Sequence, residues 1–150
     1  MISNSIKASL GGVSIQIISI KNVALFPIGF GPVENIDLIE GKEWIDIAVK
    51  YASVKEKNVN GAGGPIFDVN IEAELNQDSE EYNDFLEINS GAKFLVICKN
   101  KKGERKVYGT KEYPIKMEWN HNSGKKVENP NKNVLKFRGK TPRKSRFYMG

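Results

Sequence analysis

Residues 66–75 read IFDVNIEAEL, and they alternate apolar and polar side chains without a break. Successive side chains of a β-strand point to opposite faces of the sheet. The pattern therefore predicts a strand with one face in the core and a row of acids on the other. The apolar face holds Phe67, Val69, Ile71, Ala73 and Leu75, and the polar face holds Asp68, Asn70, Glu72 and Glu74.

Six more stretches have the composition of strands. They are residues 13–20, 43–54, 93–99, 105–109, 113–119 and 134–139. Residues 93–99 are apolar on both faces, which favours a central strand. The segment 55–65, KEKNVNGAGGP, is polar and rich in glycine, so we expect a flexible connection there.

One helix is expected between Asp78 and Gly91. Asp78 followed by Glu81 fits a capping box, and Tyr82, Phe85 and Leu86 form an apolar stripe at helical spacing. Strands without a β-α-β rhythm favour an antiparallel arrangement. The sequence therefore predicts a mostly-β (α+β) fold, an antiparallel β-sandwich or open barrel of about seven strands with one packed helix.

The domain organisation follows from length and charge. A chain of 150 residues fits one domain, and we expect a β-rich domain over residues 1–139 followed by a basic C-terminal arm over residues 140–150. The single cysteine, Cys98, excludes an internal disulfide. No apolar run approaches the roughly 18 residues that span a bilayer, so we expect no membrane partner.

Charge is divided unevenly along the chain. Residues 1–98 carry 7 basic and 14 acidic side chains, a net charge of −7, and residues 99–150 carry 16 basic and 4 acidic side chains, a net charge of +12. Such asymmetry is a clue to partners. It fits either a basic end that binds nucleic acid or a basic end that meets the acidic face of a neighbouring copy.

Catalytic patterns are missing from the sequence. The one histidine, His121, has no cysteine near it, and Cys98 lies within an apolar strand. The glycine-rich segment 55–65 lacks the Gly-Lys-Ser/Thr ending of a phosphate loop. We therefore expect no enzyme activity, no cofactor, no metal and no small-molecule substrate.

The C-terminal residues 139–150, GKTPRKSRFYMG, carry four cations, no acid and two aromatic rings. The cations could contact phosphates while Phe147 and Tyr148 stack on bases. Alternatively, a tail that ends in large apolar side chains is typical of a strap that ties one subunit to the next. The apolar segment 24–32, ALFPIGFGP, either folds over its own core or packs on a partner.

The C-terminal half also resembles a known group of proteins. Residues 108–126, YGTKEYPIKMEWNHNSGKK, and residues 133–150, NVLKFRGKTPRKSRFYMG, resemble the end of small virion proteins from tailed phages and prophages of Bacteroidetes, including the crAss-like group. The resemblance covers residues 66–150. It implies a structural role at the portal, neck or tail, in a ring of repeated subunits assembled in the host cytoplasm, without catalysis.

Together these features predict a non-enzymatic virion structural protein, a ring-forming component of the phage head–tail connector or tail. The expected partners are further copies of the chain and neighbouring virion proteins, and contact with packaged DNA stays open. The alternative is a basic nucleic-acid-binding or DNA-packaging accessory protein. The expected subunit-interface residues are Phe26, Phe30, Glu72, Glu74, Glu80, Glu81, Lys140, Arg143, Lys144, Arg146, Phe147 and Tyr148.

Overall fold

The computed structural model describes residues 13–75, 80–122 and 132–150. Within these ranges the chain forms eleven strands, one α-helix and a short 3-10 turn at Ile20–Asn22. The strands are β1 (Ser14–Ser19), β2 (Val23–Leu25), β3 (Asp37–Leu38), β4 (Ile45–Ile47), β5 (Val49–Gly61), β6 (Gly64–Leu75), β7 (Lys93–Lys99), β8 (Arg105–Tyr108), β9 (Ile115–Asn122), β10 (Lys132–Thr141) and β11 (Arg146–Phe147), and the helix is α1 (Glu80–Asn89).

The mostly-β fold with one helix is confirmed. All ladders between these strands are antiparallel, and the described strands do not form a closed barrel. The seven expected strand segments correspond to β1, to β4 with β5, and to β6 through β10. The two or three residues of β2, β3 and β11 are too short to produce a pattern in the sequence.

The main sheet runs in the order β11-β8-β7-β9-β10-β6-β5. One edge of β7 pairs with two strands, with β8 over Val96–Lys99 and with β9 at Lys93 and Phe94. The other edge of β7 pairs with β1, and β1 pairs in turn with β4. The outer strands at the two ends of the sheet are β4 and β5, and only Ala48 separates them in the chain. The sheet is therefore curled, because these two strands must lie close together.

Two clusters of buried residues lie on the two faces of β7. Phe94, Val96 and Cys98 belong to the larger cluster inside the curled sheet. Leu95 and Ile97 belong to a second cluster, which residues 18–44 and Tyr148 cover from outside. The central position expected for β7 is therefore confirmed. Burial raises the pKa of the Cys98 thiol to about 12.

The expectation of a flexible connection over residues 55–65 was wrong. β5 continues to Gly61, and β6 begins at Gly64 after a two-residue turn, so these residues form the outer half of a long hairpin. Their side chains are polar on both faces, so they show no alternation, and pairing with the alternating strand β6 decides their conformation. Gly64 has a φ of +126°, which an L side chain rarely adopts.

Helix α1 covers one end of the larger cluster. Leu86 is fully buried there and Phe85 packs against the cluster. Helical conformation begins at Glu80, whereas the expected capping residue Asp78 lies outside the described residues. In the described part of the chain, no helix has the length and apolar character needed to cross a membrane.

Candidate functional site

The C-terminal tail, residues 142–150, lies on its own chain. Within it, Arg146 and Phe147 form β11, which extends the sheet beyond β8. The tail also runs beside Val33, whose N–H donates to Phe147 O at 2.7 Å, and Met149 N–H donates to Val33 O at 2.8 Å. The expected domain boundary after residue 139 falls inside β10, which continues to the buried Thr141. The tail therefore packs on the β-rich body of its own chain.

A carboxylate on the long hairpin holds the middle of the tail. Ser145 donates two hydrogen bonds to Glu56, from its backbone N–H to Oε2 at 2.6 Å and from its hydroxyl to Oε1 at 2.7 Å. Hydrogen bonds to an ionised acceptor are about twice as strong as neutral ones. Glu56 therefore connects the tail to β5.

Two arginines of the tail hold residues 25–31, which we call the apolar loop. Arg143 Nη1 donates to Gly29 O at 3.0 Å. Arg146 donates from Nε to Gly31 O at 2.6 Å and from Nη1 to Pro27 O at 2.8 Å. Burial, and secondarily the neighbouring charge of Arg143, lowers the pKa of Arg146. The loop is therefore fixed by three hydrogen bonds from the tail.

The apolar loop exposes large side chains while it is held. The exposed fractions are 66% for Leu25, 91% for Ile28 and 83% for Phe30. The Arg143 guanidinium lies 4.3 Å from the centre of the Phe30 ring, within the range of a cation–π contact. Phe26 instead packs against the second core cluster. Of the two phenylalanines of this loop that were expected at an interface, Phe30 is therefore the exposed one.

Between the tail and the apolar loop lies a pocket of about 250 Å³. Its floor includes the buried residues Val69, Val107, Tyr108 and Thr141. Burial raises the pKa of Tyr108, with smaller contributions from Cys98 and Glu56, so its phenol is neutral at ordinary pH. The pocket therefore has an apolar floor with a few polar atoms.

The rim of the pocket is mainly basic. The residues around it include the cations Lys111, Arg143, Lys144 and Arg146 and the acids Glu56 and Glu112. Lys111 Nζ donates to Ala24 O at 2.8 Å, which connects the rim to the residue directly before the apolar loop. An apolar cavity with a basic rim fits an apolar group that has a negative charge beside it.

The two aromatic residues of the tail have different surroundings. Tyr148 is half-buried, with its ring centre 6.3 Å from that of Trp44 and 4.9 Å from the Arg105 guanidinium. Phe147 is exposed and lies 5.0 Å from Lys106 Nζ. Tyr148 is therefore an anchor within its own chain, and Phe147 remains accessible to a partner.

The acidic row of β6 has basic partners in its own sheet. Glu72 lies 3.7 Å from Lys136 Nζ on β10, and Glu74 lies 3.6 Å from Lys50 Nζ on β5. A hydrogen bond with Glu74 also raises the pKa of Tyr51. Lys140 pairs in register with Asp68. The surface around the acidic row therefore carries charges of both signs.

The two remaining expected interface residues stand at the start of the helix. Glu80 and Glu81 open α1, but their side chains lie outside the described part of the structure. Sequence reasoning missed Glu56, Lys111 and Tyr108, because their roles depend on contacts between distant segments. Among the described residues, no group of three or more His, Cys, Asp or Glu side chains could hold a metal ion.

Comparisons of the chain with protein-family models, with curated proteins and with solved structures find no match.

Proposed function

We propose that this chain is a non-enzymatic virion structural protein, a ring-forming component of the phage head–tail connector or tail that assembles by subunit–subunit contacts. The observation that carries the proposal is the apolar loop, which exposes Leu25, Ile28 and Phe30 while the tail arginines hold its backbone. A loop fixed in this way is a ready surface for another protein.

The energetics favour burial of these side chains in an assembly. Fully burying one side chain of the size of isoleucine or phenylalanine stabilises by about 1.5–3 kcal/mol. A mobile loop loses conformational entropy when it binds a partner. This loss is smaller for a loop that is already held in place. Contiguous exposed apolar residues with a polar rim are typical of protein–protein interaction sites.

The phage setting is supported by the resemblance of residues 66–150 to small virion proteins of Bacteroidetes phages. The antiparallel sheet with one flanking helix agrees with the folds common among phage tube and tail-joining proteins. This agreement is an analogy at the level of fold, because one fold serves many functions.

A second candidate, nucleic-acid binding, is favoured by the four cations on the pocket rim. However, Arg143 and Arg146 donate to backbone carbonyls of the apolar loop, and the Tyr148 ring packs near Trp44. These contacts leave the two arginines less free to bind phosphates and the tyrosine ring less free to stack on bases. Self-assembly is therefore the better-supported function.

The test is the mass of the purified chain and of matched variants, measured by native mass spectrometry and light scattering at low and moderate salt. We compare the wild type with Ile28→Ser and Phe30→Ser. The control is Tyr51→Ser, which removes an aromatic side chain that is 53% exposed on the β5 strand. A thermal melt of each variant checks that it is folded.

We expect the wild type and Tyr51→Ser to form the same discrete oligomer, and the two loop variants to dissociate. Binding that relies on phosphate contacts falls steeply with salt, so an oligomer that persists at moderate salt favours the apolar contact. A wild type that is monomeric at every concentration, and that shifts DNA in a salt-sensitive way, would overturn the proposal in favour of the second candidate.

A further inference from the structure

Helix α1 has an acidic outer face with one large apolar side chain. The helix carries four acids and no base along its ten residues. Asp84 and Glu87 are exposed, and Ile88 is 81% exposed. These three residues stand at positions i, i+3 and i+4, so they share one face of the helix. We call Asp84, Glu87 and Ile88 the helix patch.

The helix patch and the pocket have complementary properties. The pocket has an apolar floor and four cations around it, whereas the helix patch has an exposed isoleucine with two acids beside it. Burying an apolar side chain supplies affinity, and opposite charges around it fix orientation and speed association. Each surface thus has the chemistry that the other would bind.

Within one chain the helix patch does not fill the pocket. No described residue of α1 lines the pocket, and the Ile88 side chain is 81% exposed. Both surfaces are therefore open to another copy of the chain.

We propose that the helix patch of one copy docks on the pocket of the next, with Ile88 entering the pocket and the two acids facing the exposed Lys144. This inference rests on the proposed self-assembly and specifies its contact. Because two different surfaces meet, the contact is heterologous, and repetition of it gives a closed ring or an open filament.

A charge swap tests the contact. Glu87→Lys and Lys144→Glu each place like charges at the proposed interface, so each weakens assembly by about tenfold or more. The double variant restores opposite charges and recovers assembly to within about threefold of the wild type. Matched controls are Glu40→Lys and Lys102→Glu, which reverse exposed charges elsewhere on the surface. Dissociation constants come from sedimentation and native mass spectrometry.

Disulfide trapping provides an independent readout. Ile88→Cys and Glu112→Cys place one thiol on the helix patch and one beside the pocket. The native Cys98 is buried with a raised pKa and does not compete. Under mild oxidation, we expect the double variant to give a ladder of linked chains on a non-reducing gel. Each single variant links at most two chains.

The outcomes distinguish a failure of the helix-patch contact from a failure of the proposed self-assembly. If the wild type assembles but the charge reversals act like the controls and no ladder forms, the helix patch is not the partner surface, and self-assembly through another contact stands. If the wild type is monomeric, the proposed function itself fails. Rescue by the double charge swap together with the ladder is the result that we expect.

Discussion

Replacement of Glu56 tests how the tail is held on the body. Glu56→Ala removes both hydrogen bonds from Ser145, at 2.6 and 2.7 Å, and leaves the Ser145 amide without this acceptor. A hydrogen bond to a charged group contributes about 1.5–3 kcal/mol. The two bonds share one half-buried carboxylate, so we expect a loss of about 2–4 kcal/mol in the free energy of unfolding.

The measurement is urea denaturation followed by tryptophan fluorescence. With a slope of about 2 kcal/mol per molar urea, Glu56→Ala lowers the midpoint by about 1–2 M at an unchanged slope. Ser145→Ala removes only the hydroxyl bond and should cost about 1–2 kcal/mol. Glu40→Ala, at an exposed turn, serves as the control and should stay within about 0.5 kcal/mol of the wild type. If Glu56→Ala cost no more than Ser145→Ala, the assigned backbone contact would be refuted.

Three further predictions concern stability. Gly109→Ala should cost about 2–4 kcal/mol in thermal or urea unfolding, because φ is +91° and an added Cβ would lie 2.9 Å from Ile115 Cγ1; a neutral effect would contradict this geometry. Tyr148→Ala should cost about 2–3 kcal/mol by loss of packing near Trp44, and an unchanged urea midpoint would show that the tail is not anchored there. The folded pKa of Cys98 is about 12 against an ordinary value of 9.0. The folded chain therefore keeps a proton that the unfolded chain loses, and stability falls as pH rises through this window. Above pH 9, the free energy of unfolding of the wild type should fall by about 1.4 kcal/mol per pH unit more steeply than that of Cys98→Ala. The same pH dependence in both proteins would contradict the burial of Cys98.

The sequence predicted the strands whose burial is regular. The bounds expected for β7 match the structure, because a strand buried on both faces is apolar throughout its length. β6 was found to within two residues from its alternation. The outer half of the hairpin was missed, because a solvated polar segment has no periodicity and takes its conformation from the strand beside it.

The destination of the tail could not be predicted in the same way. Charge asymmetry indicated a partner for the cations, but it did not distinguish a neighbouring copy from the chain's own backbone. Arg143 and Arg146 donate to carbonyls of residues 27–31, and every residue offers a carbonyl, so no sequence pattern marks these acceptors. Glu56 was hidden for a related reason, since it lies in the segment expected to be a loop.

Contacts across strands also changed the interpretation of the acidic row. Glu72 and Glu74 of β6 were expected at a subunit interface with a basic neighbour. The register places Lys136 opposite Glu72 on β10, and Lys50 reaches Glu74 from β5. A sequence shows the charges of one strand, whereas the charge of a surface depends on which strands lie beside it.

We propose that this chain assembles with copies of itself through fixed, heterologous surfaces. The test is the mass of the 150-residue chain across a range of concentrations, measured by sedimentation and native mass spectrometry. We expect one discrete species whose mass is at least twice 16.8 kDa and a whole multiple of it. A mass of 16.8 kDa at all concentrations would contradict it.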